Sequence, residues 1–329
     1  MVKIDDFDYE LPIDLIAQEP AIPRDSCRLL VVEGNKVRHK HFYDLVEMLT
    51  KNDVLVLNRS RVFPARLRGV KESGGEVEIL LIRRLGDRRW LALGKGVKTG
   101  QRINFTNNCF GEIIRIFGKE VEVKLNFGEE VIEKIGKVPL PPYIKTKKEW
   151  RKEYQTVYAK EIGSCAAPTA GLHFSQKLLI KLKKKGVEIE EVVLHVGLGT
   201  FGEVTEKNIK ERKLHSEFYE VDGSTALRLN VAKSAGKRII AVGTTSLRVL
   251  ESVIKNGKVQ AKSGVTDIFI YPPYRLKFVD SLITNFHLPK SSLVMLVATI
   301  LGEKWRGVYG TAVKKKYRFF SFGDAMWIR

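Results

Sequence analysis

Between residues 65 and 144 the chain changes texture, and that interruption constrains its fold more than any other feature. Short alternating apolar segments recur there, at 77–82, 90–93, 113–116 and 121–125. Gly74, Gly75, Gly86, Gly94, Gly96, Gly100, Asn107, Asn108, Gly118 and Gly128 fall between them. Even spacing of short strands and turns is the pattern of a small barrel or sandwich. Pro139, Pro141 and Pro142 then close the stretch, since proline cannot continue a central strand. On either side the chain alternates strands and helices instead. The run Asp53-Val54-Leu55-Val56-Leu57-Asn58 reads as a buried strand. Further strands are expected at 187–195, 238–243, 267–271, 282–286 and 317–322. Helices are expected at 175–186, with Ser175 as N-cap and Gly186 past its end, at 246–255, and at 291–301. The expected fold is therefore α/β with a large parallel or mixed sheet, plus a smaller inserted all-β barrel domain. Residues 1–64 and 145–329 form the discontinuous α/β domain, and 65–144 the insertion.

Charge narrows the partners. The 329 residues carry 57 Lys and Arg against 38 Asp and Glu, a net +19. Such an excess favours polyanions, nucleic acid above all. No apolar run approaches the ~20 residues of a membrane helix, and the start of the chain lacks a signal-peptide pattern. Cys27, Cys109 and Cys165 match no metal-binding spacing. A cytoplasmic, reducing setting without membrane or metal fits these features, with a monomer as the default.

Five segments are candidates for chemistry. In 163–174, small residues precede a helix, so a ligand can approach the backbone at Thr169, Ala170, Gly171 and Phe174; His173 is a candidate base. In 195–202, His195 begins a Gly-rich loop that lacks full dinucleotide spacing. In 238–248, a strand runs through Gly243, Thr244, Thr245 and Ser246 into a helix. There Arg248 is placed to grip a carboxylate, although plain helix capping explains the hydroxyls equally well. In 266–289, Asp267, Tyr271, Tyr274, Asn285 and His287 stand at strand edges, where the aromatics are placed to stack on a base or to fill core. In 314–324, Lys314, Lys315, Lys316 and Arg318 suit phosphates, the phenylalanines suit core, and Asp324 ends the run.

Together these segments resemble the S-adenosylmethionine:tRNA ribosyltransferase-isomerase family of queuosine biosynthesis. Further matching stretches are 7–12, 15–18, Arg24-Asp25 with Arg28-Leu29-Leu30, 60–67 and 154–158. The chain departs from the family pattern at Gly202-Glu203, where Arg-Pro is expected, at Leu214 in place of Met, and at Lys95-Gly96. The resemblance implies an α/β domain with a small barrel. It also implies transfer and isomerisation of the ribosyl part of S-adenosylmethionine onto 7-aminomethyl-7-deazaguanine at the wobble position of a tRNA with a GUN-type anticodon. Epoxyqueuosine-tRNA, adenine and methionine are the products. On that reading the sulfonium acidifies the attached ribose carbon, and His173, His195 or His215 takes the proton. Asp267 or Asp324 assists adenine or offsets the sulfonium. Arg248 or a helix N-terminus holds the methionine carboxylate. Arg61, Arg66, Arg318 and the three lysines meet phosphates, and a local acidic or aromatic patch accepts the cationic donor. A methyltransferase and a non-catalytic RNA-binding module are the competing readings; release of free adenine separates them.

Overall fold

A computed structural model describes residues 2–106, 108–145, 148, 150–197 and 202–329. The Gly-rich loop expected to bind a ligand lies partly outside them, at 198–201.

The N-terminal strands are β1 (Arg28–Glu33), β2 (Lys36–His41), β3 (Asp53–Asn58) and β4 (Ser60–Val62). The inserted stretch carries β5 (Arg66–Lys71), β6 (Glu76–Gly86), β7 (Arg89–Gly94), β8 (Arg102–Thr106), β9 (Cys109–Phe117) and β10 (Glu120–Leu125). The remaining strands are β11 (Glu161–Ser164), β12 (Glu188–Leu194), β13 (Lys213–Val221), β14 (Arg238–Val242), β15 (Ile254–Lys255), β16 (Lys258–Val259), β17 (Lys262–Ile268), β18 (Ser281–Asn285) and β19 (Ala325–Ile328). The helices are α1 (Leu45–Met48), α2 (Glu129–Ile135), α3 (Gln176–Lys184), α4 (Glu206–Glu211), α5 (Gly223–Ser234), α6 (Gly243–Val253), α7 (Ser292–Leu301) and α8 (Trp305–Lys314).

A nine-stranded sheet runs β17-β13-β12-β3-β14-β18-β19-β1-β2. Its centre, β12-β3-β14-β18, is parallel, while both flanks are antiparallel apart from the β1–β19 pair. All six residues of β3 are buried, as expected of a strand covered on both faces. Period-2 alternation divides its side chains between two cores. Val54 and Val56 pack with α5 and α6, whereas Leu55 and Leu57 pack with α3 and Phe42. A third core lies under α7 and α8.

The insertion is a closed barrel, β10-β7-β6-β5-β8-β9. Inward residues such as Val77, Ile79, Leu81, Ala92, Val121 and Val123 fill it. β5 and β8 escape a reading from sequence because Arg66, Arg68, Lys71 and Arg102 dominate them, leaving Leu67, Gly69 and Ile103 as the buried residues.

Two expected strands need correction. Residues 317–322 form no strand, because Phe320 has a φ of 70° and Phe319 and Phe322 enter different cores. The strand of that region is β19. Residues 269–271 lie beyond the end of β17, which runs earlier than expected. Ser175 and Ser291 are N-caps as expected, accepting from Leu178 N and Val294 N.

Candidate active site

A cavity of about 570 Å³ opens at the C-terminal ends of β14 and β18. Crevices at that edge of a parallel sheet are the usual ligand positions of open α/β folds. One wall is the start of α6, at Gly243, Thr244 and Thr245. Gly243 has a φ of +84°, and a Cβ there would lie 3.3 Å from Thr245 Oγ1. Neither hydroxyl caps the helix: the N-cap is Val242, without a side-chain bond, and Ser246 donates to Val242 O instead. The first N–H groups of α6 thus keep their capacity for a negative group. Thr245 is 9% exposed, and its Oγ1 has no partner among the described residues. A buried hydroxyl without a partner costs free energy unless a ligand or water completes it.

The opposite wall is the end of β18 and the turn that follows. Thr169 Oγ1 donates to Asn285 Oδ1 at 2.9 Å. Asn285 Nδ2 lies 2.9 Å from His173 Nε2 and 3.1 Å from Phe320 O. With Nε2 accepting, His173 carries its proton on Nδ1, which faces Cys27 Sγ at 3.2 Å. His173 is 4% exposed, and burial holds its pKa down at about 4. It stands behind Asn285 rather than in the cavity wall.

Among the described residues, His287 is the one histidine that lines the cavity. Its Nε2 is 3.0 Å from Thr284 Oγ1, and no described group hydrogen-bonds to Nδ1. Its backbone is held on both sides, N–H to Tyr309 Oη at 3.3 Å and C=O accepting from Tyr9 Oη. Burial lowers its pKa to about 3, so the ring is neutral at physiological pH.

The other candidates sit elsewhere. Arg248 is 4% exposed and pairs with buried Glu217, which also accepts from Gly197 N at 2.9 Å and lies 3.4 Å from His215 Nε2. Burial opposes ionisation of Glu217, but the His215 hydrogen bond and the Arg248 charge hold its pKa near 2. His195 stacks on Phe218 with centroids 5.4 Å apart. Burial lowers the His195 pKa, and its Nδ1 has no partner among the described residues. Asp324 is 2% exposed and clamps Arg28 N (2.9 Å), the Arg28 guanidinium (3.1 Å) and Arg318 N (2.8 Å). Asp267 pairs with Lys213 at 3.0 Å. Tyr271 donates to Ile209 O and Tyr274 to Glu251. Gly171 and Phe174 are buried behind the wall, against Tyr158 and Phe42 respectively. Arg61 and Arg66 pair with Glu133 and Glu78, both at 3.4 Å. Lys314, Lys315 and Lys316 are exposed, and Arg318 is half-buried.

A family model described as a queuosine biosynthesis protein matches residues 4–328. The chain belongs to that family. An S-adenosylmethionine:tRNA ribosyltransferase-isomerase of Carboxydothermus hydrogenoformans is 50% identical, covering 99% of this chain and 100% of its own length. One of Acetivibrio thermocellus is 51% identical with 100% of both covered. A solved S-adenosylmethionine tRNA ribosyltransferase from Thermotoga maritima is 39% identical, covers 98% of this chain and 100% of its own, and superposes with a TM-score of 0.58.

Several wall residues of this queuosine biosynthesis family member carry no chemical signal in sequence. Tyr143 and Phe320 line the cavity with ring centroids 4.4 Å apart, yet they come from distant segments. Thr284 and Ser321 look like ordinary strand and loop residues. Gly202 and Glu203, which replace the expected Arg-Pro pair, also line the cavity. Lys290 lines it too, but Asp5 and Asp8 pair with it at 2.8 and 3.2 Å. The cavity charge is thus not the basic charge of the chain. Among the described residues no group of three or more His, Cys, Asp or Glu is placed to hold a metal, and no helix is long and apolar enough to cross a membrane.

Proposed function

We infer that the chain is an S-adenosylmethionine:tRNA ribosyltransferase-isomerase. It transfers and isomerises the ribosyl moiety of S-adenosylmethionine onto 7-aminomethyl-7-deazaguanine in tRNA, giving epoxyqueuosine-tRNA with release of adenine and methionine. The observation that carries the site is the open start of α6, with the partnerless Thr245 hydroxyl beside it in the cavity. Its volume suits a ligand of this size. The α6 N–H groups and Thr245 receive the methionine carboxylate of the donor. Arg248 does not, because Glu217 already matches its charge; the pair holds the first turns of α6 in place. Thr169, Ala170 and the Tyr143–Phe320 pair enclose the rest of the donor, and Glu203 supplies a negative charge near its sulfonium. His173 and Asp324 position the site, His173 through Asn285 and Asp324 through Arg28 and Arg318. His195 lies beside Gly163 and His215 beside Gly197, and Asp267 stays on its lysine.

The tRNA carries a GUN-type anticodon, and its loop bases are splayed out for chemistry. Lys314, Lys315, Lys316, Arg318, Arg61 and Arg66 meet its phosphates, while Tyr271 and Tyr274 support the surface from behind. The enzyme works as a cytoplasmic monomer in which residues 65–144 form a domain inserted between 1–64 and 145–329. It needs no metal.

Incubating the purified protein with S-adenosylmethionine and precursor tRNA, followed by nucleoside mass spectrometry, tests this reading. Epoxyqueuosine and stoichiometric adenine are expected. Release of S-adenosylhomocysteine instead would mark a methyltransferase.

A further inference from the structure

We propose that His287 is the catalytic base that removes the ribose C5′ proton of the bound sulfonium donor and passes it to the departing adenine. This rests on the ribosyl-transfer reading above and adds a residue to it. The position decides it first. Of the histidines at Gly-rich turns, His173 turns both ring nitrogens to Cys27 and Asn285, and His195 stacks under Phe218. His287 reaches the cavity, opposite the α6 wall where the donor carboxylate is held.

Its hydrogen bonding decides the proton. When Nε2–H donates to Thr284 Oγ1, Nδ1 carries the lone pair, and Nδ1 is the nitrogen that no described group engages. The Thr284 hydrogen bond orients the ring, and Tyr9 and Tyr309 hold the His287 backbone from both sides. Fixed geometry of this kind is what a general base requires before basicity matters.

The chemistry balances. The C5′–H bond breaks, its electron pair stays on the carbon beside the positive sulfur, and the proton moves to Nδ1. The C5′ pair forms a C4′=C5′ bond as C4′–O4′ breaks, the O4′ pair forms a C1′=O4′ bond as C1′–N9 breaks with its pair going to adenine, and Nδ1–H gives that proton to the leaving base. His287 ends neutral, ready for another turnover. Neutrality also suits binding, since an imidazolium would repel the sulfonium. The same burial that weakens the base makes its conjugate acid strong, which favours rapid protonation of adenine. The sulfonium, by acidifying C5′, compensates on the abstraction side.

The test compares wild type, His287→Ala and Thr284→Val, using S-adenosylmethionine and precursor tRNA. Donor affinity is measured by calorimetry and adenine release by chromatography. His287→Ala is expected to slow adenine release about 100-fold or more, the ordinary worth of a general base, while donor affinity stays within about threefold of wild type. Free imidazole added to His287→Ala should restore part of the rate. Thr284→Val keeps the ring but frees its tautomer, and should slow release by about tenfold at unchanged affinity. A His287→Ala enzyme that releases adenine at near the wild-type rate overturns the assignment. So does one whose donor affinity falls in step with its rate, since that marks a binding residue. Failure of wild type to release adenine defeats the ribosyl-transfer reading itself, a separate result.

Discussion

Two polar regions lie close together along α6 and behave oppositely. At its start, Gly243–Thr245 presents uncapped N–H groups and a partnerless Thr245 hydroxyl to the cavity. Farther along, Arg248 is sealed against Glu217, which is itself bonded to Gly197 N. Both regions are buried and both are polar. The first offers uncommitted groups to the cavity; in the second the charges are matched within the protein, although Arg248 Nε and Nη2 have no hydrogen-bond partner among the described residues. The difference separates binding groups from supporting ones where residue type alone does not, since an arginine at a helix start suits either role.

The largest effect expected from breaking this contrast is at the sealed pair. Arg248→Met leaves Glu217 buried without its main counter-charge, and should cost about 3–5 kcal/mol of stability. Urea melts will show it. The double change Glu217→Gln with Arg248→Met should cost clearly less, and an equal cost would mean that the pair does not act as one unit.

Acid should sharpen the comparison next. His173 and His287 have folded pKa values of about 4 and about 3, below the ordinary 6.5. Between pH 6.5 and these values the unfolded chain therefore binds protons that the folded chain refuses, and stability falls as pH falls. The loss at pH 4.5 relative to pH 7 should reach about 2–3 kcal/mol for His173. Glu217 adds its own loss only below about 4.5, as pH falls toward its folded value near 2. Thermal melts from pH 7 to 4.5 should weaken steadily, and His173→Asn should flatten that slope; an unchanged slope would refute the assignment to His173.

The smallest effect belongs to the open region. Thr245→Val removes a hydroxyl that the protein itself does not use, so melting should change by less than about 0.5 kcal/mol. Affinity for S-adenosylmethionine should drop about tenfold, the worth of one hydrogen bond to a charged group. A stable variant with full affinity would show that Thr245 does not touch the donor.

Much of the fold was legible because its signals are local. The all-apolar β3 run, the serine caps of α3 and α7, and the Gly-punctuated barrel each follow from residues near one another in sequence. β5 and β8 were not legible, because outward arginines and lysines masked their thin inward faces. The aromatic run 317–322 misled for the opposite reason. Its side chains are apolar enough for a strand, but the backbone turns at Phe320 to send them into separate cores.

For the site, sequence alone determined that small-residue turns stand at strand ends, and the net charge of +19 that suits a nucleic-acid partner. Local spacing is enough to place the Gly-Thr-Thr helix start at the end of a buried strand. Only the tertiary structure decided which polar groups remain open there. Whether Arg248, His173 or His287 is available depends on partners 31, 146 and 3 residues away, respectively Glu217, Cys27 and Thr284. A side chain's capacity is consumed by whatever folding brings within 3 Å or so, and in this chain that left the neutral ring of His287 facing the cavity.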